Sequence, residues 1–125
     1  AVAREAPRLG EPYSAARLEA ALADGGPVFV EMTAAWCITC QVNARVALSG
    51  ARFAETLAAT GTTYLVGDWT NQDPAVTAFI ERFRHPGVPL YVVWPAGGGA
   101  PEVLPQVLTR GLVAAALERA AAATG

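Results

Sequence analysis

The chain has no lysine, one histidine, one methionine and only two cysteines among its 125 residues. Its nine basic residues are all arginine. Together with the excess of alanine, this has the look of a codon-composition bias and says nothing about function. A structural zinc or an iron–sulfur cluster takes about four ligands. Cys37, Cys40 and His85 fall short of that number, so no intrachain metal site is expected. No run of about 18 apolar residues occurs, so nothing in this stretch spans a bilayer. The longest uncharged segment, Pro86 to Pro101, is broken by prolines and glycines. A formal net charge of −2 offers no basic face for nucleic acid or an anionic membrane surface. No signal-peptide pattern is present and the first residue is not methionine. The chain therefore reads as a mature protein or an excised domain. Its length suits one domain with one core, and a monomer is the default expectation.

What is present is concentrated in Trp36-Cys37-Ile38-Thr39-Cys40. The two cysteines follow a strand-like run and open a helix-like one. That places both sulfurs at one helix end, near enough to close a small disulfide ring. Loop-entropy stabilisation grows with the length enclosed, so so short a ring contributes little to the fold. A pair that stabilises little but switches between dithiol and disulfide points to electron transfer. At a helix N-terminus the unpaired N–H groups and the helix dipole favour a thiolate, so Cys37 is the expected nucleophile. Cys40, one turn further in, is the expected resolving cysteine. Ile38 and Thr39 add no cation to hold the thiolate further. The strongest oxidants of this kind depend on a thiolate with a pKa near ~3.5, so a reductant or balanced carrier is favoured. Such pairs work in reducing and oxidising compartments alike, and composition does not fix the compartment.

Along the chain, residues 1–12 carry Pro7, Gly10 and Pro12 among mixed charges and read as a tail or linker, leaving 13–125 as the domain. Ser14 caps a predicted helix from Ala15 to about Asp24. Pro27 to Met32 reads as a buried strand. Gln41 to Leu48 reads as a helix, with Val42 and Val46 at i, i+4 spacing, and Ser49 is a candidate cap for a further helix over Ala51 to Ala59, ending at Gly61. Thr62 to Val66 reads as a strand. Asp73-Pro74 starts a helix to Phe83. Leu90 to Trp94 is a strand, and the glycines at 97–99 turn into Glu102–Leu104. Thr109 caps a last helix to about Ala122. This order implies an α/β fold, a central mixed β-sheet flanked by helices on both faces.

Several other residues carry candidate chemistry. Glu31 lies six residues before Cys37 in an apolar strand. Buried, its pKa rises and it is placed to exchange a proton with Cys40; turned outward by strand alternation, it is a solvated acid. Val88-Pro89 opens a strand, where proline removes a ladder donor. Either this is an ordinary trans proline at a strand start, or a cis peptide exposes the Val88 backbone to an extended substrate segment. Trp36, Ile38 and Val88 form a candidate apolar rim for weak, transient partners. His85 reads as a solvated loop residue. Trp69 fits the core and the active end equally well.

The stretches Thr33–Asn43, Gly67–Asn71 and Gly87–Tyr91 together resemble thioredoxin-fold proteins over roughly Tyr13 to Ala122. At finer grain they resemble the C-terminal thioredoxin-like domain of DsbD-type thiol:disulfide interchange proteins and the related ScsB-type reductases. The resemblance implies Cys37 as nucleophile, Cys40 as resolving cysteine, Glu31 in place of the usual buried aspartate, and Pro89 as a cis-proline. It also implies a periplasmic domain tethered to a transmembrane electron-carrier domain. Electrons come from NADPH through cytoplasmic thioredoxin and pass to an N-terminal periplasmic partner domain; no dissociable cofactor is needed. Two departures stand out: Glu31 is one methylene longer than aspartate, and Ala44 occupies a position where some relatives carry a second acid. The alternatives are a free-standing periplasmic thioredoxin or isomerase-like protein, and a binding module with an idle cysteine pair.

Overall fold

A computed structural model describes residues 9–123. The part of the predicted tail that covers residues 1–8 lies outside them. Five strands form one sheet in the order β1-β3-β2-β4-β5. β2 (Val28–Thr33) is central, parallel to β3 (Thr63–Asp68) and antiparallel to β4 (Leu90–Trp94). β5 (Glu102–Val103) pairs antiparallel with β4 at one edge. At the other edge β1 (Glu11–Pro12) pairs parallel with β3. This strand corrects the reading of residues 11 and 12 as tail. The Tyr13 N–H extends the pairing, donating to the Val66 carbonyl at 2.8 Å. Main-chain bonding to an open sheet edge leaves no side-chain pattern to read, and proline is tolerated at an edge.

Every residue of β2 is buried, because helices cover both sides of the sheet. One face packs Val28, Val30 and Met32 against Leu18 and Ala21 of α1 (Ala15–Ala23) and Val76, Phe79 and Ile80 of α4 (Pro74–Arg82). The other face packs Phe29, Tyr64 and Tyr91 against Phe53 of α3 (Gly50–Thr60) and Val113, Ala116 and Leu117 of α5 (Arg110–Ala122). There Phe29 stacks on Tyr64 at 5.1 Å, and the Phe53 ring meets Tyr64 edge-on at 5.3 Å. This is the thioredoxin fold expected from the sequence.

Three of the predicted caps form, while Ser49 stands at the N-cap of the helix from Gly50 to Thr60 without a side-chain capping bond, its hydroxyl donating instead to the Arg45 carbonyl at 3.0 Å. Ser14 accepts from the Arg17 N–H at 3.0 Å, Asp73 from Ala75 at 2.8 Å, and Thr109 from Leu112 at 3.1 Å. Gly61 closes α3 in the left-handed region at φ 66°, the conformation a side chain resists most there. α2 (Ile38–Val46) starts three residues earlier than predicted, because Cys37 itself is its N-cap. Asn43, Ala47 and Leu48 face inward from this segment, while Val42 and Val46 stay exposed despite their helical spacing.

Candidate active site

β2 ends at Thr33 and the chain turns through Ala34, Ala35 and Trp36 into α2. Cys37 and Cys40 form a disulfide there, with Cα atoms 5.2 Å apart. Cys37 retains 8% of its surface and Cys40 none. Only one sulfur is therefore within reach of a partner. The Cys37 Sγ accepts from the Cys40 N–H at 3.2 Å, so the helix N-terminus supplies a donor directly to this sulfur, a setting that favours a thiolate. Cys37 is thus the sulfur nearer solvent, and Cys40 is sealed behind it.

The turn is held from several directions. The Cys37 N–H donates to the Ala34 carbonyl at 3.1 Å, and Gln41 Nε2 donates to the same carbonyl at 3.0 Å. From the loop after β3, Thr70 Oγ1 accepts from the Ala35 N–H at 2.8 Å, and the Thr70 carbonyl accepts from Trp36 Nε1 at 3.1 Å. The Asp68 carboxylate in turn accepts from the Thr70 N–H at 2.9 Å. Sequence reasoning gave Thr70 no role. Its signal was its place directly after Trp69, a candidate for the active end, within the Gly67–Asn71 stretch.

Trp69 serves both of its expected environments. Its Nε1 donates to Thr77 Oγ1 at 2.8 Å on α4, and its ring centre lies 6.0 Å from that of Trp36. The Val88–Pro89 peptide bond is cis. Val88 packs against Ala34, Cys37 and Cys40, placing this step beside the disulfide. His85 is not the solvated loop residue expected. It is half-buried, and its Nδ1–H donates to the Gly87 carbonyl at 2.7 Å, bracing the turn before Val88.

Glu31 is buried, which removes the outward-facing alternative. It sits directly opposite Tyr91 in the β2–β4 register and so shares that residue's sheet face. That face is the one α2 covers, since Asn43 of α2 donates to the Tyr91 hydroxyl at 2.9 Å. The Tyr64 hydroxyl donates to the Glu31 carboxylate. A buried carboxylate is kept only where such donors meet it. Burial pushes the Tyr91 phenol well above its ordinary value of 10.0. The Asn43 contact pulls the other way, and the Glu31 charge pushes it up again. Asn43 continues the network, donating to the Gln106 carbonyl at 2.6 Å and accepting from the Leu108 N–H at 3.1 Å. Tyr64, Tyr91 and Asn43 were not singled out from the sequence. Two tyrosines and an asparagine at inward positions of predicted elements were the available sign, because such groups stay buried only when bonded. Among the described residues no three His, Cys, Asp or Glu side chains converge in a metal-binding group.

Fold and site together define a thioredoxin-like thiol–disulfide oxidoreductase scaffold carrying a CxxC disulfide. Residues 11–96 match the profile of the thioredoxin-like family, and the chain belongs to that family. No curated protein sequence matches it. Among solved structures it is similar to the oxidised C-terminal domain of Neisseria meningitidis DsbD. The TM-score is 0.68 at 21% identity, covering 86% of this chain and 96% of that one. It is also similar to a thioredoxin from Thermus thermophilus, with TM-score 0.66, 25% identity, and 89% and 85% coverage. A thioredoxin of Halobacterium salinarum matches at TM-score 0.66 and 21% identity, covering 91% of each chain.

Proposed function

We propose that this domain is a protein-disulfide reductase that relays electrons by dithiol–disulfide exchange. In this reading a transmembrane electron-carrier domain of the same full-length protein reduces it, and it reduces an N-terminal periplasmic domain or another periplasmic thiol–disulfide protein. The electrons originate from NADPH through thioredoxin, and the protein is periplasmic, tethered to the inner membrane. The observation that carries the redox role is the asymmetry of the pair: Cys37 reachable at a helix N-cap, Cys40 fully buried behind it. The relay assignment is supported by the DsbD-like run Thr33–Asn43 with Gly67–Asn71 and Gly87–Tyr91, and by likeness to a DsbD C-terminal domain over nearly all of that chain.

In the reaction, the Cys37 thiolate attacks one sulfur of the partner disulfide and expels the other as a thiolate. The Cys40 thiol gives up its proton, with Glu31 as the proposed acceptor on the same sheet face, and attacks Cys37 Sγ. The second partner thiol leaves, and the electron pair has moved from the domain to the partner. Trp36, Ile38, Val88 and Pro89 form the contact rim around the sulfur.

Cys37→Ser is expected to abolish transfer, and Cys40→Ser to accumulate a covalent mixed disulfide with an oxidised partner, seen on a non-reducing gel and reversed by thiol. A Cys40→Ser protein that forms no adduct under conditions where the wild type turns over contradicts these roles. A free-standing periplasmic thioredoxin is the second reading, favoured by the likeness to the Thermus thermophilus thioredoxin. The coding sequence upstream of Ala1 separates the two: apolar spans there for the relay, a secretion signal alone for the free protein.

A further inference from the structure

α2 leaves the disulfide with an apolar face uncovered. Ile38 is 80% exposed, and Val42 and Val46, each one turn further on, are 50% and 45% exposed. Val107, 70% exposed, lies in the loop whose Gln106 carbonyl and Leu108 N–H are bonded to Asn43 of α2. Apolar surface in one such run is uncommon on a solvated helix.

The far end of the stripe is cationic. Arg45 lies on the same helix face, three residues after Val42. Arg110 crosses from α5, its Nε donating to the Val46 carbonyl at 3.1 Å. Arg52 and Arg110 also line one cleft between α3 and α5. The ion pairs among the described residues are Arg17–Glu11 and Arg119–Glu102, so these three arginines have no carboxylate partner there. Neither α2 nor the 104–109 loop contains an acid. A second copy docked through the same stripe therefore has no carboxylate in it to meet the arginines.

We infer that α2 is the docking track for the partner polypeptide: an apolar segment beside the partner's cysteine lies along Ile38, Val42 and Val46, and carboxylates beyond it meet Arg45 and Arg110. The inference rests on the thiol–disulfide reading above and adds the partner's chemistry to it. The distance follows from geometry. Ile38 to Val46 spans about 12 Å at 1.5 Å per residue. An extended chain covers that in about four residues at ~3.3 Å each. The acids therefore lie about four positions from the partner's reactive cysteine. The surface continues directly from Cys37, so one bound segment reaches both the sulfur and the arginines.

The test uses the pre-reduced domain in single turnover against synthetic peptides whose cysteine is held as a mixed disulfide with thionitrobenzoate. The peptides carry valines next to the cysteine and then, about four residues away on either side, a pair of aspartates, lysines or serines. Exposed ion pairs contribute modestly, so an aspartate peptide is expected to react about threefold faster than its lysine counterpart at low salt. The preference should fade toward 1 M salt, where the screening length falls to about 3 Å. Arg45→Glu should abolish or reverse it while leaving reduction of neutral bis(2-hydroxyethyl) disulfide unchanged. Val42→Ser with Val46→Ser should slow all the peptides and spare the small disulfide. Equal rates for aspartate and lysine peptides on both sides, or a preference that survives Arg45→Glu, overturns the inference. So does a concentration-dependent dimer dissolved by Val42→Asp, which would make the stripe a self-interface. If even the small disulfide is not reduced, the thiol–disulfide reading itself fails.

Discussion

At the scale of single residues, the site is built from unequal positions for like groups. Cys37 and Cys40 are chemically identical, but one caps a helix with residual exposure and the other is sealed beneath it. That difference underlies the roles proposed for the two sulfurs. Glu31 is the other unequal group, an acid retained in a strand whose remaining residues are all buried with it. Its proposed task is to accept the Cys40 proton in the release step. General-base assistance contributes typically 10²–10⁴-fold, so Glu31→Gln is expected to slow release by about a hundredfold. Rapid quench should then show the mixed disulfide lingering, with the initial attack by Cys37 little changed. Tyr64→Phe removes the hydroxyl that donates to Glu31 but keeps the carboxylate, and it should slow release far less.

At the scale of elements, the structure works by pinning α2 and its preceding turn against the sheet. Asn43 is the central fastener: one buried amide bonds β4 through Tyr91 and the 104–108 segment through Gln106 and Leu108. Asn43→Ala leaves three polar partners wanting, two of them buried, at about 1–3 kcal/mol for each buried group left unmade, partly recovered by water. A net loss of about 3 kcal/mol is expected, which lowers Tm by roughly 10 °C for a chain of this size, measurable by calorimetry. Much at this level was legible beforehand. Ser14, Asp73 and Thr109 announced three helix starts because a short oxygen side chain before an apolar period has few other uses. The short apolar runs announced β2, β3 and β4. The start of α2 was misplaced because a cysteine is not an expected cap. β1 was missed because its bonds are main-chain only. The spacing of Val42 and Val46 put them on one side of a helix, and periodicity reports only that residues share a side, not which side the fold covers. Glu31 and the cysteines were legible from their setting in sequence. Asn43, Tyr64 and Thr70 acquire meaning only when strands β3 and β4 and the 104–108 loop bring them together.

At the scale of the whole molecule, the buried polar groups tie stability to pH. The Tyr91 phenol holds its proton more tightly folded than unfolded, because burial penalises the charged form most. Its contribution is thus complete below the unfolded pKa of 10.0 and is lost as pH rises above it. Urea midpoints should fall between pH ~10 and ~12, and less steeply in Tyr91→Phe. Some dependence should survive in that variant, since burial also raises Tyr13. The direction of electron flow belongs to this scale as well, because it depends on how strongly the fold favours the dithiol over the disulfide. Nothing between the cysteines adds a cation, and among the described residues the one direct donor to Cys37 Sγ is the Cys40 N–H. That is modest support for a thiolate and suits a donor of electrons. Equilibrating Cys37–Cys40 in graded thiol/disulfide buffers measures this balance most directly. A potential between thioredoxin's ~−270 mV and the glutaredoxins' ~−200 mV is the predicted result. A value near ~−120 mV would make the domain an oxidant and contradict the reductase account.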